Sequence, residues 1–265
     1  MTLRERILAV YRGAQPDVVP FMLDLSHWFY HRARRPWDLS AAYVDPEHDL
    51  IACHREREVG FYLPNLAAFY SVIYPDNVRV TTEKRVKAGV PEILWRMETR
   101  LGCIERARVW QEQTYSWPIS RWGFSDEAGL RIFGEALARR RFVPHWDRFR
   151  QWDECVGDLG VVYLPFGYSA IGHLLNYWMG IEAVAFATAD FPQALRETVD
   201  VVNANLLELV DLVCTSPAEV VIMGDNISSD VQSPAFFTRW AGAFYRQAVG
   251  RRHAAGNTSR STLTA

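Results

Sequence analysis

The sequence predicts an α/β fold, namely a partial (β/α)8 TIM barrel of about the first four β/α units with a β-rich insertion. Three observations predict it: apolar runs of strand length alternate with helical patterns, polar residues follow these runs, and no Gly-x-Gly-x-x-Gly segment follows the first run. The alternation indicates a parallel sheet, because strands covered by helices on both faces are nearly continuous apolar segments. Polar residues after the strands favour a barrel over an open dinucleotide-binding sheet, because the strand ends of a barrel meet at one mouth.

The first two β/α units occupy the beginning of the chain. A helical pattern over residues 2–12 ends at GAQPD, a segment that contains the turn residues glycine and proline. Two apolar runs follow, VVPFMLDLS at residues 18–26 and VGFYLPN at residues 59–65. Asp24 and Asn65 are the polar residues at the ends of these two predicted strands.

Residues 70–120 differ from the rest of the chain. Polar and apolar residues alternate there between turn signals, which predicts antiparallel strands with one face in water. We interpret the segment as an insertion into the barrel. A helix is expected from residue 126 to about residue 152, with Ser125 as its N-cap.

Two more buried strands and three helices complete the predicted chain. The strands are GVVYLPFG at residues 160–167 and AEVVIMGDNIS at residues 218–228. The helices cover residues 170–180, 191–216 and 233–256, and the last begins with a Ser-Pro pair that suits an N-cap and a first helical position.

The composition indicates one soluble globular domain over residues 1–256. The 265 residues are 49% hydrophobic and carry a net charge of −2, which excludes a polybasic nucleic-acid binder and an acidic disordered chain. No apolar run is long enough to cross a bilayer, and the charged amphipathic opening is unlike a signal peptide. We therefore expect a cytoplasmic protein without nucleic-acid or membrane partners. The four cysteines have no Cys-x-x-Cys spacing and are expected to be free thiols.

The segment NTSRSTLTA, residues 257–265, stands where a fifth apolar strand is expected. Its single leucine among polar residues predicts a disordered tail. Restoring a reading frame with plausible codons gives HVAVHADG instead, a buried strand with a polar end. We therefore hypothesise that the segment is a frameshifted tail and that the chain is the N-terminal half of a longer barrel. Unpaired strand edges would then favour a homodimer.

Three segments of the chain resemble one known family. The opening MTLRERILAVYRGAQPDVVPF is similar to the helix and Gly-x-x-Pro-Asp-x-Val-Pro stretch before the first barrel strand of the uroporphyrinogen decarboxylase superfamily. PFGYSAIGHLLNYWMG is similar to that family's third-strand turn and helix, and VVIMGDNISSDVQSPAFF resembles its fourth strand. The resemblance covers nearly the whole chain and is weakest across residues 70–120.

The resemblance implies a barrel enzyme with one of two activities. One is decarboxylation of uroporphyrinogen, a tetrapyrrole, without a cofactor, and the other is methyl transfer to or from a corrinoid protein with zinc and a thiol substrate. The Met-Arg-Gln-Ala-Gly-Arg segment of the decarboxylases corresponds here to MLDLSHWFYHRARRPWD, in which Arg32, Arg34 and Arg35 are displaced. The methyltransferase zinc ligands would fall at or beyond the fifth strand. We expect a decarboxylase-type lyase of porphyrin biosynthesis, with methyl transfer or an inactive truncated half-barrel as the alternatives.

The candidate site residues lie at the predicted barrel mouth. We expect catalytic roles for Asp24 and Asp225 and substrate-binding roles for His27, Tyr30, Tyr168, Ser169 and Asn226. Decarboxylation of a pyrrole passes through a cationic intermediate, which a nearby carboxylate stabilises. The structural alternative for either aspartate is a loop contact or a cap, and the alternative for the tyrosine and serine is a loop that caps the next helix.

His27 and His31 are four residues apart and would share one face of a helix. Such a pair can bind a substrate carboxylate or a metal, but a zinc site needs more than two protein ligands, so no metal site is predicted. The residues that suit the wall of a pocket for a flat macrocycle are Trp28, Phe29, Tyr30 and Trp37, although core packing explains such residues equally well.

Overall fold

The structure is a computed structural model that describes residues 1–33, 38–39, 43–63, 66, 68–225 and 227–255, and the backbone of residues 262–264. The helices are α1 Leu3–Tyr11, α2 Ser26–Arg32, α3 His48–Glu56, α4 Glu127–Leu137, α5 Trp146–Val156, α6 Ala170–His173, α7 Gly180–Asp190, α8 Pro192–Cys214, α9 Pro234–Trp240 and α10 Gly242–Ala255. A 3-10 turn covers Gly157–Leu159, and a π-helical segment covers Leu174–Trp178.

The strands divide into a parallel and an antiparallel group. They are β1 Met22–Leu23, β2 Gly60–Phe61, β3 Tyr70–Ile73, β4 Arg79–Lys87, β5 Val90–Thr99, β6 Gly102–Val109, β7 Ile119–Arg121, β8 Arg141–Pro144, β9 Tyr163–Gly167, β10 Val220–Met223 and β11 Thr262–Thr264. The fold is therefore mixed α/β with small sheets, and the strands of the described residues do not close into a barrel.

The parallel strands neighbour one another in the order of the chain. β1 pairs with β2, and β10 lies between β9 and β11. A parallel bridge from Phe61 to Gly160 connects β2 to the residues just before β9. The five strands thus follow one another in the order β1, β2, β9, β10, β11, and their carboxyl ends lie on one side.

The first predicted strand is much shorter than its apolar run. Of residues 18–26 only Met22 and Leu23 form a strand, and Val19 and Phe21 are exposed, by 85% and 59%. Strand formation requires a hydrogen-bonded neighbour, and β1 has one on a single side, β2. The apolar run therefore predicted the position of a strand but overestimated its length.

The antiparallel strands predicted for residues 70–120 are present. β4, β5, β6 and β7 form a four-stranded sheet in that order. The β4–β5 hairpin turns at Ala88 and Gly89, both of which have positive φ, as two-residue hairpin turns require.

The helix predicted from residue 126 to about residue 152 is interrupted. Its N-cap is Asp126 instead of Ser125, because the Asp126 carboxylate accepts a hydrogen bond from the amide of Gly129 at 2.8 Å. The chain then forms β8, which pairs antiparallel with β3, before α5 begins. The predicted helix at 233–256 is likewise two helices, α9 and α10, and Ser233 caps the first as expected.

The core lies between the parallel strands and the helices that cover them. Helix α8 contributes one face at helical spacing, as its sequence predicted, with the buried residues Leu195, Val199, Val202, Leu206 and Leu209. A second, smaller cluster lies at the beginning of the parallel strands, where Ile7 and Leu8 of α1 pack on Val161, Tyr163 and Val220. Helix α1 therefore covers the amino ends of the strands.

The end of the chain differs from the expected tail. Residues 257–265 were expected to be disordered, but Thr262–Thr264 pair with β10 in parallel, with Val220 opposite Thr262. The other residues of that range lie outside the described part of the chain. The helices that the structure describes are all too short or too polar to span a bilayer.

Candidate functional site

A buried carboxylate connects the ends of two neighbouring parallel strands. Asp225 follows β10 and is fully buried. Its side chain accepts a hydrogen bond from the backbone amide of Ser169 at 2.7 Å and a second from the Ser169 hydroxyl. Ser169 follows β9, and its hydroxyl also accepts a hydrogen bond from the amide of Gly172 at 3.2 Å, which caps α6. One serine thus joins the carboxylate to the start of a helix.

Burial is the main influence on the pKa of the Asp225 carboxylate. It raises the pKa of Asp225 above the usual aspartate value, and the hydrogen bonds from Ser169 oppose that shift in part. The hydroxyl of Tyr245 is buried beside it, and burial followed by the charge of Asp225 raises the pKa of Tyr245. Asp225 is therefore easier to protonate than an ordinary aspartate.

The chain after Ser169 is tightly packed against Asp225. A β-carbon on Gly172 would stand 2.2 Å from Oδ1 of Asp225, so only glycine fits there. Asn176 donates to the carbonyl of Gly172 at 2.9 Å and lies in the π-helical segment. π-helical turns are rare in proteins, and those that occur often lie at functional sites.

Aromatic rings stand over the carboxyl end of β9. The ring of Tyr168 lies 4.9 Å from that of Tyr177 and 5.7 Å from that of His173. Burial, together with the positive charges of Arg140 and Arg106, lowers the pKa of His173 to about 3. The imidazole is therefore neutral at physiological pH.

Two arginines from the antiparallel sheet point at these rings. Arg106 and Arg108 are two residues apart on β6, so they share one face of the strand. The guanidinium carbons of Arg106 and Arg108 lie 5.0 and 5.5 Å from the centre of the Tyr177 ring. Arg106 is 8% exposed and also lies 4.1 Å from the ring of Trp95. Burial, followed by the charge of Arg108, lowers the pKa of Arg106 to about 9.

The other predicted catalytic residue, Asp24, stands at the carboxyl end of β1. It is partly buried and its carboxylate accepts a hydrogen bond from the amide of Ser26 at 2.8 Å, at the beginning of α2. The buried His54 is close enough for the charge of Asp24 to counteract part of the lowering of its pKa, whose main cause is burial. The Nε2 atom of His54 is buried without a hydrogen bond.

Helix α2 carries the predicted histidines and Tyr30. His27 and His31 are exposed, whereas Tyr30 is buried and its pKa is raised by burial and by its hydrogen bond with Tyr43. The ring of His31 lies 5.0 Å from the ring of Tyr115, whose hydroxyl donates to the carbonyl of Tyr30 at 3.2 Å. The turn between β6 and β7 therefore contacts α2.

The antiparallel sheet thus reaches two separate loops at the carboxyl ends of the parallel strands. Tyr115 attaches it to the loop after β1, and Arg106 and Arg108 attach it to the loop after β9. The hydroxyl of Tyr70, on β3, donates to the carbonyl of Phe166 at 3.4 Å and contacts β9 directly. The insertion therefore forms one wall of the candidate site.

The structure brings together some of the predicted residues. Asp225, Ser169 and Tyr168 meet around the ends of β9 and β10. Asp24, His27 and Tyr30 belong to a separate group after β1. The predicted Asn226 and Asn65, and with them Arg34, Arg35 and Trp37, lie outside the described residues.

Sequence reasoning missed the two arginines. Arg106 and Arg108 belong to a polar and apolar alternation that reads as an ordinary strand with a wet face. A signal was present in the segment ERARVW, residues 105–110. In a strand, its alternation places Arg106, Arg108 and Trp110 on the same face. No three His, Cys, Asp or Glu side chains come together as metal ligands within the described ranges.

Comparison with protein-family models, with curated proteins and with solved structures finds no match to this chain. The fold and the site geometry are therefore the basis for an argument about function.

Proposed function

We propose that the chain is an enzyme of the uroporphyrinogen decarboxylase type, a carboxy-lyase that removes CO2 from the acetate side chains of a tetrapyrrole without a cofactor. In this proposal the parallel strands are the first part of a (β/α)8 barrel, and the antiparallel sheet is an insertion that covers part of its mouth.

The observation that carries the proposal is the order of the parallel strands. β1, β2, β9, β10 and β11 neighbour one another in chain order, as the first strands of a (β/α)8 barrel do. The alternative open sheet of the dinucleotide-binding type reverses its strand order at a switch point, and no reversal occurs among these strands. Helix α1 packs at the amino ends, which leaves the carboxyl ends for chemistry.

The polar groups at those carboxyl ends suit the reaction. Each decarboxylation consumes one proton in net: the pyrrole ring is protonated, the bond to CO2 breaks with its electron pair moving into the cationic ring, the methylene carbon takes up a proton to become a methyl group, and the ring releases the proton that it first received. The ring is cationic in between, and a fixed carboxylate lowers the energy of that state. Asp24 is the partly buried carboxylate in our proposal, and the fully buried Asp225 holds the loop after β9 in place through Ser169.

The test is turnover of uroporphyrinogen by the full chain under anaerobic conditions, followed by oxidation and separation of the porphyrins by their number of carboxyl groups. We expect porphyrins that have lost carboxyl groups. Asp24→Asn should lower the rate by about a hundredfold or more, because an amide still accepts the hydrogen bond from Ser26 but carries no charge. The matched control is Asp147→Asn, an exposed aspartate of α5 that pairs with Arg150. Folded protein without turnover, or an unchanged rate for Asp24→Asn, would refute the proposal.

The alternatives give different results in the same experiment. A methyltransferase of the same superfamily would contain stoichiometric zinc, measured by mass spectrometry of the purified protein, and would leave uroporphyrinogen intact. An inactive half-barrel would be folded, free of zinc and without turnover.

We also propose that the chain forms a homodimer through the exposed edge beside β1. Val19, Phe21 and Leu23 are large apolar residues there, and each is at least 47% exposed. An unpaired strand edge with apolar side chains favours association with a second copy. Light scattering should give the mass of a dimer for the wild type and that of a monomer for Phe21→Lys. A monomeric wild type would exclude this interface.

A further inference from the structure

We propose that Arg106 and Arg108 of β6 form a carboxylate-binding subsite for a flat anionic ligand, so that the antiparallel insertion contributes directly to substrate binding. The inference rests on the proposed function for its choice of ligand class, since tetrapyrrole substrates of this type carry carboxylates on a ring system.

Arg106 is a buried cation that forms no ion pair with any acidic residue that the structure describes. Its Nε and Nη1 atoms are buried without hydrogen-bond partners. It is held instead between the rings of Trp95, Tyr177 and Trp178, with its guanidinium carbon 4.1 to 5.2 Å from their centres. Removing a charge from water without a partner is unfavourable, and an anion that binds beside it removes the cost.

Arg108 places a like charge next to Arg106 on the same strand. Arg108 is partly exposed, and its Nη1 atom donates to the carbonyl of Trp117 at 2.8 Å while its Nε atom has no partner. Two cations on one strand face repel each other. The neighbouring acidic residue Glu105 does not offset this repulsion, because it forms an ion pair with Arg121. A carboxylate held by Arg108 would neutralise both, because a guanidinium presents a planar pair of N–H groups that matches the two carboxylate oxygens.

Aromatic rings surround the two arginines. The ring of Tyr177 lies next to both and contacts the ring of Tyr168, and the Trp117 carbonyl that accepts from Arg108 belongs to the turn that also carries Trp110. Aromatic walls favour a flat ligand, which can stack on them or insert between them. Arg108 is partly exposed and Arg106 is buried. A ligand carboxylate therefore meets Arg108 first, and the positive charge of Arg106 adds to the attraction.

The experiment measures binding without chemistry. The probe is trimesate, a flat benzene ring with three carboxylates, titrated into the full chain by calorimetry, and the neutral trimethyl ester is the ligand control. We expect trimesate to bind and the ester not to bind. Arg108→Gln should weaken trimesate binding by about tenfold or more, whereas Arg108→Lys should lose less. Arg96→Gln, an exposed arginine of β5 that pairs with Glu98, is the matched control and should bind as the wild type.

A second variant separates binding from structure. Arg106→Met keeps an unbranched, flexible side chain and removes the unpaired charge, so we expect it to raise the melting temperature of the ligand-free protein and to reduce the rise that trimesate produces. A purely structural arginine would give the opposite, a lower melting temperature with an unchanged trimesate response, and that result overturns the proposal. Equal binding by the wild type and by Arg108→Gln overturns it as well.

The two proposals fail separately. Binding of trimesate that depends on Arg108, in a protein that leaves uroporphyrinogen unchanged, supports the subsite and refutes the decarboxylase. Turnover of uroporphyrinogen with a KM that is the same in the wild type and in Arg108→Gln supports the decarboxylase and refutes the subsite.

Discussion

The side chain of Asp225 accepts hydrogen bonds from both the amide and the hydroxyl of Ser169, 56 residues earlier in the chain. The two residues follow neighbouring parallel strands, so this contact fixes one strand end against the next. The same serine caps the following helix, which ties the loop, the helix and the carboxylate into one unit. The loop after β9 is therefore held by hydrogen bonds at both the carboxylate and the helix start.

Gly172 should not tolerate a side chain. Gly172→Ala would bring a methyl group 2.2 Å from Oδ1 of Asp225, which is held in place by Ser169 and cannot move aside. We expect a loss of about 1–3 kcal/mol in the free energy of unfolding, measured by urea denaturation. The control is Gly250→Ala in α10, where a β-carbon meets nothing within 4 Å. That variant should gain about 0.5–1 kcal/mol, because alanine is the better helix former. Equal effects at both positions would contradict the packing argument.

Arg140 and Asn205 should depend on each other. The Nε atom of Arg140 donates to the side-chain oxygen of Asn205 at 3.0 Å, and the Asn205 amide donates to the carbonyl of Arg140 at 2.8 Å. Both residues are buried. Asn205→Leu alone should cost about 1.5–3 kcal/mol, because it removes a buried hydrogen-bond acceptor of a charged guanidinium.

The double variant Arg140→Met with Asn205→Leu should be more stable than the sum of the single losses predicts. The expected coupling is at least about 1 kcal/mol in a double-mutant cycle based on chemical denaturation. Additive single effects would mean that the two side chains do not stabilise each other.

His173 should remain neutral down to strongly acidic pH. Burial and two neighbouring arginines lower its pKa to about 3, against 6.5 for an unperturbed histidine. Because the unfolded chain binds the proton first, stability is complete above pH 6.5 and falls as the pH decreases from 6.5 towards 3. NMR of the histidine ring should show no titration between pH of about 5 and 8. In His173→Gln the melting temperature should decrease less on acidification than in the wild type; an equal decrease would place the acid sensitivity elsewhere.

Tyr115 should hold the antiparallel insertion against α2. Tyr115→Phe removes the hydroxyl that donates to the carbonyl of Tyr30, at a cost of about 1 kcal/mol, and leaves the ring beside His31. We expect faster hydrogen exchange of the α2 amides, and the global free energy of unfolding should fall by no more than that cost. Thr114→Val is the control, because the Thr114 hydroxyl bonds only within the turn, to Gln111 and Ser116. Faster exchange in the control as well would assign the effect to the turn itself.

Local patterns account for the elements that the sequence predicted well. The apolar face of α8, the Ser-Pro start of α9 and the alternation in residues 70–120 all depend on neighbours within a few residues, and all three appear in the structure. β8 was missed because it depends on its partner β3, about 70 residues earlier, and its own four residues carry no strong strand signal. The predicted strand at residues 18–26 was too long for a related reason: among the described strands, β1 pairs with β2 alone.

Some features of the candidate site are likewise visible in the local sequence, and others depend on tertiary packing. The sequence by itself determined which polar residues end the parallel strands, because strand ends are visible as the point where an apolar run stops, and Asp225 and Ser169 were identified on that basis. Only the tertiary structure decided that these two residues bond to each other, and that Arg106 and Arg108 of a distant antiparallel strand face the same loop. The physical reason is that a contact between residues far apart in the chain depends on how helices and strands pack, and packing leaves no periodic trace in the local sequence.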